Sequence, residues 1–110
     1  MPEVATVGPA DYERVAAFLA SFPGETKSAE SWLARLRAWW DSNPSFTEDC
    51  ARGWMLCEAG AVVGFIGAIP LKFLAGGVET IAVGGTTWRV LARYRGMSIQ
   101  LKSRKMAACP

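Results

Sequence analysis

The residues best suited to chemistry lie together in the segment 88–100, WRVLARYRGMSIQ. An apolar strand runs there into a basic turn that holds one glycine, and the turn opens a helix. From Arg89 to Pro110 there are six Lys/Arg and no acidic residue, whereas the residues before Arg89 carry six Lys/Arg and ten Asp/Glu. Backbone N–H groups at a helix start, surrounded by arginines, form an anion site. We predict a pyrophosphate as its ligand.

The same basic residues allow two other interpretations. They could form a solvated helix face, because cations near a helix C-terminus complement its dipole without any ligand. They could also bind nucleic acid, but the basic segment offers few aromatic side chains and the net charge is only +2. We therefore predict no nucleic-acid partner. The basic residues concerned are Arg93, Arg95, Lys102, Arg104 and Lys105.

Several kinds of catalytic site are excluded by composition. The chain has no histidine, which excludes His-based triads, Cys–His nucleophile pairs and the usual catalytic zinc sites. Its three cysteines, Cys50, Cys57 and Cys109, form no C-x-x-C pair, so free thiols are expected and no metal site is predicted. Neither a phosphate-binding P-loop motif nor a G-x-S-x-G nucleophile motif is present.

The chain of 110 residues is long enough for one domain. Residues 1–20 have neither a basic n-region nor a continuous apolar segment, so no signal peptide is predicted. The longest apolar run, 59–71, contains three glycines and a proline and is shorter than the roughly 20 residues of a membrane helix. We expect a soluble cytoplasmic protein with no membrane partner.

The first half of the chain predicts one short strand and two helices. Val4–Val7 is expected to form an edge strand, and apolar residues at helical spacing predict a helix over 11–22. A second helix is predicted from Ser28, as N-cap, to Asp41. Three tryptophans near this helix could form a stacking platform for bases or sugars, but core packing is the favoured interpretation. These are Trp32, Trp39 and Trp40.

The middle of the chain changes to the period of strands. Tight turns at 59–60 and 76–77 separate three predicted strands. Pro70 indicates that the second strand bends or lies at an edge. Gly84 and Gly85, inside the third strand, predict a bulge or a close approach of a ligand or of another backbone. The predicted strands are Gly53–Glu58, Ala61–Ala75 and Val78–Leu91, and a last helix is predicted over Ser98–Met106.

The order of elements is strand, helix, helix, three antiparallel strands, helix. This order predicts an α+β fold in which helices flank an antiparallel meander sheet.

The order and the segment 88–100 together resemble the Gcn5-related N-acetyltransferases. Members of that family carry a strand that ends in an apolar-x-V-x-P-x-Y-R-G pattern and continues into the acyl-CoA signature Q/R-x-x-G-x-G/A. Here the strand end is Trp88-Arg89-Val90-Leu91, the turn is Ala92-Arg93-Tyr94-Arg95-Gly96, and Arg95 takes the Q/R position. The segments AWWDSNP and GWMLCEAGAVVGFIGAIPLKF extend the resemblance over nearly the whole chain.

The resemblance implies that acetyl-CoA or another acyl-CoA is the cofactor, held mostly by backbone groups. The backbone around Trp88 would polarise the thioester carbonyl, and Val90 would bond the pantetheine amides. Arg95 would be the charged partner of the pyrophosphate, which backbone amides of the signature would surround. Those amides belong to Gly96, Met97, Ser98, Ile99 and Gln100.

The sequence departs from the family pattern in the signature and in the third strand. Ser98 and Gln100 replace the small signature residues that let the backbone approach a phosphate. The position where histone-modifying members have a catalytic carboxylate falls on Gly84, and Glu79 lies too far away. No catalytic residue is therefore identified.

The resemblance also implies that 1–110 is a single, truncated domain corresponding to the first half of the family fold. The half that usually shapes the acceptor pocket would be missing. The strand 78–91 would then have a bare edge, which favours pairing with a second copy of the chain.

Two functions follow as hypotheses. The first is transfer of an acetyl or acyl group from acyl-CoA to a small-molecule or peptide amine, either by this chain or by an enzyme of which it is the cofactor-binding half. The second is a non-catalytic module that binds acyl-CoA or associates with itself.

Overall fold

The computed structural model describes residues 2–47 and 50–97 and confirms the predicted α+β architecture. Each of the two helices and four strands lies within two residues of its predicted ends. The predicted helix over Ser98–Met106 lies outside the described residues. The elements are β1 Glu3–Thr6, a 3₁₀ helix Pro9–Asp11, α1 Tyr12–Ser21, α2 Ala29–Trp39, β2 Gly53–Glu58, β3 Ala61–Ala75, β4 Val78–Val90, and a second 3₁₀ helix Ala92–Met97.

The four strands form one antiparallel sheet in the order β1-β2-β3-β4. Both predicted tight turns are present and join β2 to β3 and β3 to β4. Ala59 and Gly60 have φ of 52° and 83°, and Gly76 and Gly77 have φ of 59° and 84°. Two central residues with positive φ are what a type I′ turn requires, and its twist matches that of the strands it joins. The meander is therefore set by local turn chemistry.

Both α-helices cover one face of the sheet. Val15 and Leu19 of α1 and Leu36 of α2 are fully buried there, against Met55 and Phe65 of the sheet. Burial of apolar side chains of this size is the main favourable contribution to folding. The helices thus fix the position of the α1–α2 connection relative to the sheet.

The tryptophans near α2 belong to this core. Trp32 and Trp40 are 4% and 1% exposed, and Trp39 packs against both in edge-to-face geometry. Ser28 caps α2 as predicted, with its hydroxyl accepting a hydrogen bond from the Ser31 N–H at 3.1 Å. The packing confirms the core interpretation of these three tryptophans.

The opposite face of the sheet carries a second apolar cluster. Val90 at the end of β4 is buried in it, and the ring of Tyr94 in the second 3₁₀ helix packs against it. The chain that follows β4 is thereby held on the face opposite α1 and α2. The other buried members are Trp54, Leu56, Val63, Ile66 and Ala68.

Beyond Gly67, β3 pairs with β4 on one side, and on the other side the described part of the chain provides no strand, because β2 begins opposite Gly67. Pro70 lies in this part of β3. A proline has no N–H to donate to a neighbouring strand, so an edge position was predicted for it. On that side the Ala68 N–H donates to the Arg52 carbonyl at 3.0 Å, and the backbone groups farther along β3 need other partners.

Side chains from the segment after α2 bond this open side of β3. They take the place of a neighbouring strand and hold the α2–β2 connection against the sheet. The bonds run from Trp40 Nε1 to the Ala68 carbonyl at 2.8 Å, from Asn43 Nδ2 to the Pro70 carbonyl at 2.9 Å, and from the Lys72 N–H to Ser45 Oγ at 3.0 Å.

None of the helices within residues 2–47 and 50–97 is long and apolar enough to span a lipid bilayer.

Asn43 is expected to be the most sensitive polar side chain of this edge. Its amide also bonds the Trp39 carbonyl and the Ser45 N–H. Because several backbone groups lose their partner at once, Asn43→Ala should lower the free energy of unfolding by about 2–3 kcal/mol in urea denaturation. Ser42, the exposed residue before Asn43, provides the control: Ser42→Ala should change the free energy of unfolding by less than about 0.5 kcal/mol. Equal effects would contradict the role of the edge bonds.

Candidate functional site

A one-residue bulge interrupts β4 near its end. Gly67 pairs with Thr86 and Phe65 pairs with Arg89, so Thr87 and Trp88 together oppose a single residue of β3. Thr87 has a φ of 53°, a left-handed conformation that is unfavourable for a β-branched residue. Strain of this kind costs about 1 kcal/mol or more and often marks a functional position.

The bulge is not where the sequence predicted it. Gly84 and Gly85 pair regularly with Ile69 and Ala68 of β3. The bulge falls on Thr87, a residue whose type disfavours positive φ, so residue preference alone could not locate it. The prediction of a bulge in this strand is correct, and its position is wrong by two to three residues.

The register after the bulge leaves the backbone of Val90 facing outward. Leu91 donates its N–H to the Val63 carbonyl at 2.9 Å, and Val90 stands opposite Gly64. In an antiparallel ladder this makes Val90 a non-hydrogen-bonded position, so its N–H and C=O point away from β3. Within the described part of the chain, the sheet ends at β4. The Val90 backbone groups therefore lie at the open edge of the sheet.

A cleft of about 320 Å³ opens beside this edge. It lies where the end of α1, the end of β4 and the second 3₁₀ helix meet. Trp88, 45% exposed, gives it an aromatic wall. The cleft combines two guanidinium groups with apolar surface, and no carboxylate of the described residues lines it. The lining residues are Phe22, Trp88, Arg89, Val90 and Arg95.

Arg89 connects the cleft to the α1–α2 connection. Its Nη1 donates to Glu25 Oε2 at 2.9 Å. The guanidinium carbon also lies 5.5 Å from the ring centre of Phe22 and 5.2 Å from that of Trp32. Cation–π contact of this type adds stability when the cation is partly desolvated. Arg89 is thus held on two rings and one carboxylate, with 29% of its side chain exposed.

Glu25 is stabilised in its charged form. The Lys27 N–H donates to Oε1 at 3.0 Å, and this bond and the Arg89 guanidinium lower the pKa of the Glu25 carboxyl below its ordinary 4.5, whereas burial opposes the shift. Sequence reasoning missed this pair. Its members are 64 residues apart, and nothing in either local pattern signals the contact.

Three of the predicted cofactor residues meet in the cleft: Trp88, Val90 and Arg95. Gly96 is exposed next to it, and a Cβ at this position would meet no described atom within 4 Å. Met97 ends the second 3₁₀ helix. Ser98, Ile99 and Gln100 lie outside the described residues.

The predicted basic turn is a 3₁₀ helix, Ala92–Met97. In such a helix N–H groups donate to the carbonyl three residues back, as the Tyr94 N–H does to the Leu91 carbonyl at 2.8 Å. The segment therefore offers fewer free amides than an open turn would. The guanidinium carbon of Arg93 lies 5.2 Å from the ring centre of Tyr94, and Arg93 is not among the described residues that line the cleft.

The described residues supply no acid or base in the cleft. Gly84 is exposed on β4, and Glu79 pairs with Lys72 at 3.8 Å at the far end of the hairpin. The thiol of Cys57 lies on the helix-covered face, where burial raises its pKa. Nor do the described residues contain a cluster of three potential metal ligands.

Comparison with known proteins identifies the fold. No family model and no curated protein matches the chain. Among solved structures, an acetyltransferase of Trypanosoma brucei superposes with a TM-score of 0.60 at 16% identity, over 97% of this chain and 73% of that one. Saccharomyces cerevisiae N-myristoyltransferase with bound myristoyl-CoA gives 0.55 at 16% identity, over 96% and 27%. The chain has a Gcn5-related N-acetyltransferase-like fold.

A transcriptional regulator from Bacillus halodurans C-125 is also similar, with a TM-score of 0.62 and 14% identity over 99% of this chain and 77% of that one. Identities this low show the fold alone. The chain spans about three quarters of this protein and of the trypanosomal acetyltransferase. Coverage of about three quarters of these two proteins does not support the prediction that the chain corresponds to only the first half of the fold.

The Glu25–Arg89 pair should make stability depend on pH. The folded state lowers the pKa of Glu25, so its ionised carboxylate stabilises the fold fully above pH 4.5. This stabilisation is lost as pH falls through the folded-state pKa. Glu25→Gln should therefore be less stable than wild type at neutral pH, and the difference should shrink in acid. Urea unfolding across this range measures it, with Glu3→Gln on β1 as control. A difference that stays constant with pH would contradict the account.

Proposed function

We propose that the chain binds an acyl-CoA along the open edge of β4 and transfers the acyl group to an amine. The observation that supports this most directly is the position of the Val90 backbone groups, which face outward in the same cleft as Arg95. An acyltransferase-like fold provides the context. The structurally similar N-myristoyltransferase holds myristoyl-CoA.

The residues present fit such a cofactor in three respects. The outward N–H and C=O of Val90 can pair with the amide groups of a pantetheine arm as a neighbouring strand would. Arg95 is exposed and lines the cleft, which suits a phosphate. The open space around Gly96 lets a phosphate approach the backbone closely.

When bound, the cofactor would supply an activated thioester. Trp88, directly after Thr87 in the bulge, would contact the acyl end of the cofactor with its exposed ring. Val90 would orient the arm, and Arg95 would hold the phosphates. Met97, Ser98, Ile99 and Gln100 would extend the phosphate contacts, as the family signature implies.

A second candidate function is acyl-CoA binding without catalysis. It is favoured by the absence of a carboxylate among the described residues that line the cleft, since Glu25 is already engaged by Arg89. An amine must lose its proton before it attacks a thioester, and a positioned base contributes typically 10²–10⁴-fold to such a step. Release of free thiol from acetyl-CoA in the presence of a panel of amines distinguishes the two. Tight binding without turnover would support the second candidate.

Coenzyme A should protect the backbone of the site from hydrogen exchange. We expect slower exchange at Val90 and over Arg95–Gln100, because the cofactor would cover these amides. Exchange measured by mass spectrometry with and without millimolar coenzyme A tests this. The β2–β3 hairpin turn is the internal reference and should not change. Unchanged exchange at both predicted places would contradict the proposed site.

Gly96→Val should weaken coenzyme A binding by about tenfold or more, because the added side chain would occupy the space that the phosphate needs. Its cost to the free energy of unfolding should stay near 0.5 kcal/mol or less, since a Cβ at Gly96 meets nothing within 4 Å. Calorimetric titration and urea unfolding measure the two effects.

Gly8→Val is the matched control. A Cβ at Gly8 lies in ordinary contact with Asp11 Oδ2 at 3.7 Å, and Gly8 is not part of the cleft. Its affinity for coenzyme A should equal that of wild type. If Gly96→Val lost stability and affinity in parallel, the role of Gly96 would be structural only.

A further inference from the structure

Arg89 is a second cation in the cleft, and the cofactor roles above do not use it. It lines the cleft together with Arg95, yet its environment differs. Arg95 lies on the exposed 3₁₀ helix, whereas the Arg89 side chain is only 29% exposed and packs on aromatic rings. The two guanidinium groups therefore suit different parts of a ligand.

The Arg89 guanidinium is held in place before any ligand binds. Its central carbon lies 5.5 Å from the ring centre of Phe22 and 5.2 Å from that of Trp32, and within residues 2–47 and 50–97 its bond to Glu25 Oε2 uses Nη1. A guanidinium has five N–H donors arranged for bidentate bonding to a planar oxyanion. A ligand that bonds the remaining donors would lose little side-chain entropy, because stacking already restricts the arginine.

The charges of Arg89 and Glu25 favour a ligand group with a single negative charge at the Arg89 guanidinium. Glu25 already offsets part of the Arg89 charge, so a doubly charged phosphate would meet repulsion from the Glu25 carboxylate. A carboxylate carries one charge, and its two oxygens match the paired N–H donors of a guanidinium in shape. Phe22 and Trp88 provide apolar walls for the group that bears it.

We propose that Arg89 binds a carboxylate carried by one of the two reacting molecules, either the acyl chain of the thioester or the amine acceptor. The inference rests on the proposed function, because that function places both molecules in this cleft. Arg89 is then the residue that selects the substrate, and Glu25 is a positioning residue that acts through it.

Two matched pairs of ligands test the proposal and identify the source of the carboxylate. Succinyl-CoA and butyryl-CoA have acyl chains of equal length, and only the first ends in a carboxylate. L-Phenylalanine and 2-phenylethylamine both carry the amine and the ring, and only the first has a carboxylate. Affinities are measured by calorimetry on the full chain, for the amines with coenzyme A present.

We expect one pair to show roughly tenfold to hundredfold tighter binding of the carboxylate member, the range of a charge-assisted hydrogen bond. The preference should be lost in Arg89→Gln and retained in Arg35→Gln. Arg35 also stacks on Trp32, at 5.6 Å, but it does not line the cleft. A preference that survives Arg89→Gln, or no preference in either pair, would overturn the proposal.

Glu25→Gln gives a test that does not depend on the folding of an Arg89 variant. Glutamine keeps an oxygen acceptor for Arg89 Nη1 but removes the competing negative charge. The preference for the carboxylate ligand should therefore rise, and a fall would contradict the proposal.

The experiment separates the failure of this inference from the failure of the proposed function. Equal, tight binding of succinyl-CoA and butyryl-CoA, with no preference between the two amines, would leave acyl-CoA binding intact and overturn the role of Arg89. If neither thioester binds, the amine pair is measured alone. An Arg89-dependent preference for phenylalanine would then support the carboxylate site and contradict the acyl-CoA proposal.

Discussion

The arrangement of the site depends on one extra residue in β4. Because Thr87 and Trp88 together face a single residue of β3, the strand turns locally, and Thr87 is held at positive φ. After the bulge, Arg89 lies on the face covered by α1 and α2, where it reaches Glu25. The backbone of Val90 lies at the open edge. Without the extra residue, Trp88 would stand opposite Phe65 and Arg89 opposite Gly64, so the Arg89 side chain would lie on the other face of the sheet.

The rest of the structure holds this bulge in position. The bonds from the α2–β2 segment to β3 keep the partner strand of β4 fixed where β2 no longer reaches it. The contact of Arg89 with Phe22 and Glu25 joins β4 to the α1–α2 connection. Contacts at the open side of β3 and on the helix-covered face therefore hold the strands around Thr87, and such surrounding structure is what allows an unfavourable backbone conformation to persist.

Over residues 2–47 and 50–97 the strands and α-helices could be predicted from the sequence, because helical periodicity, the Ser28 cap and the two tight turns are local signals. The site could be predicted only in part. Trp88, Val90 and Arg95, which the resemblance named as cofactor residues, line one cleft, and their role in binding stays a prediction. The bulge was expected at Gly84 and Gly85 and lies at Thr87. The Glu25–Arg89 pair escaped prediction because its members are 64 residues apart and no local pattern records such a contact. The 3₁₀ form of the basic segment was not predicted either.

The most direct test of the central claim is a titration with coenzyme A followed by ¹⁵N–¹H NMR at two adjacent residues. Leu91 already donates its N–H to the Val63 carbonyl, whereas the Val90 N–H faces the open edge. We predict a large, saturable downfield shift of the Val90 amide proton and a small change at Leu91. No shift of the Val90 amide at millimolar coenzyme A, or equal shifts at both residues, would contradict a cofactor bound along β4.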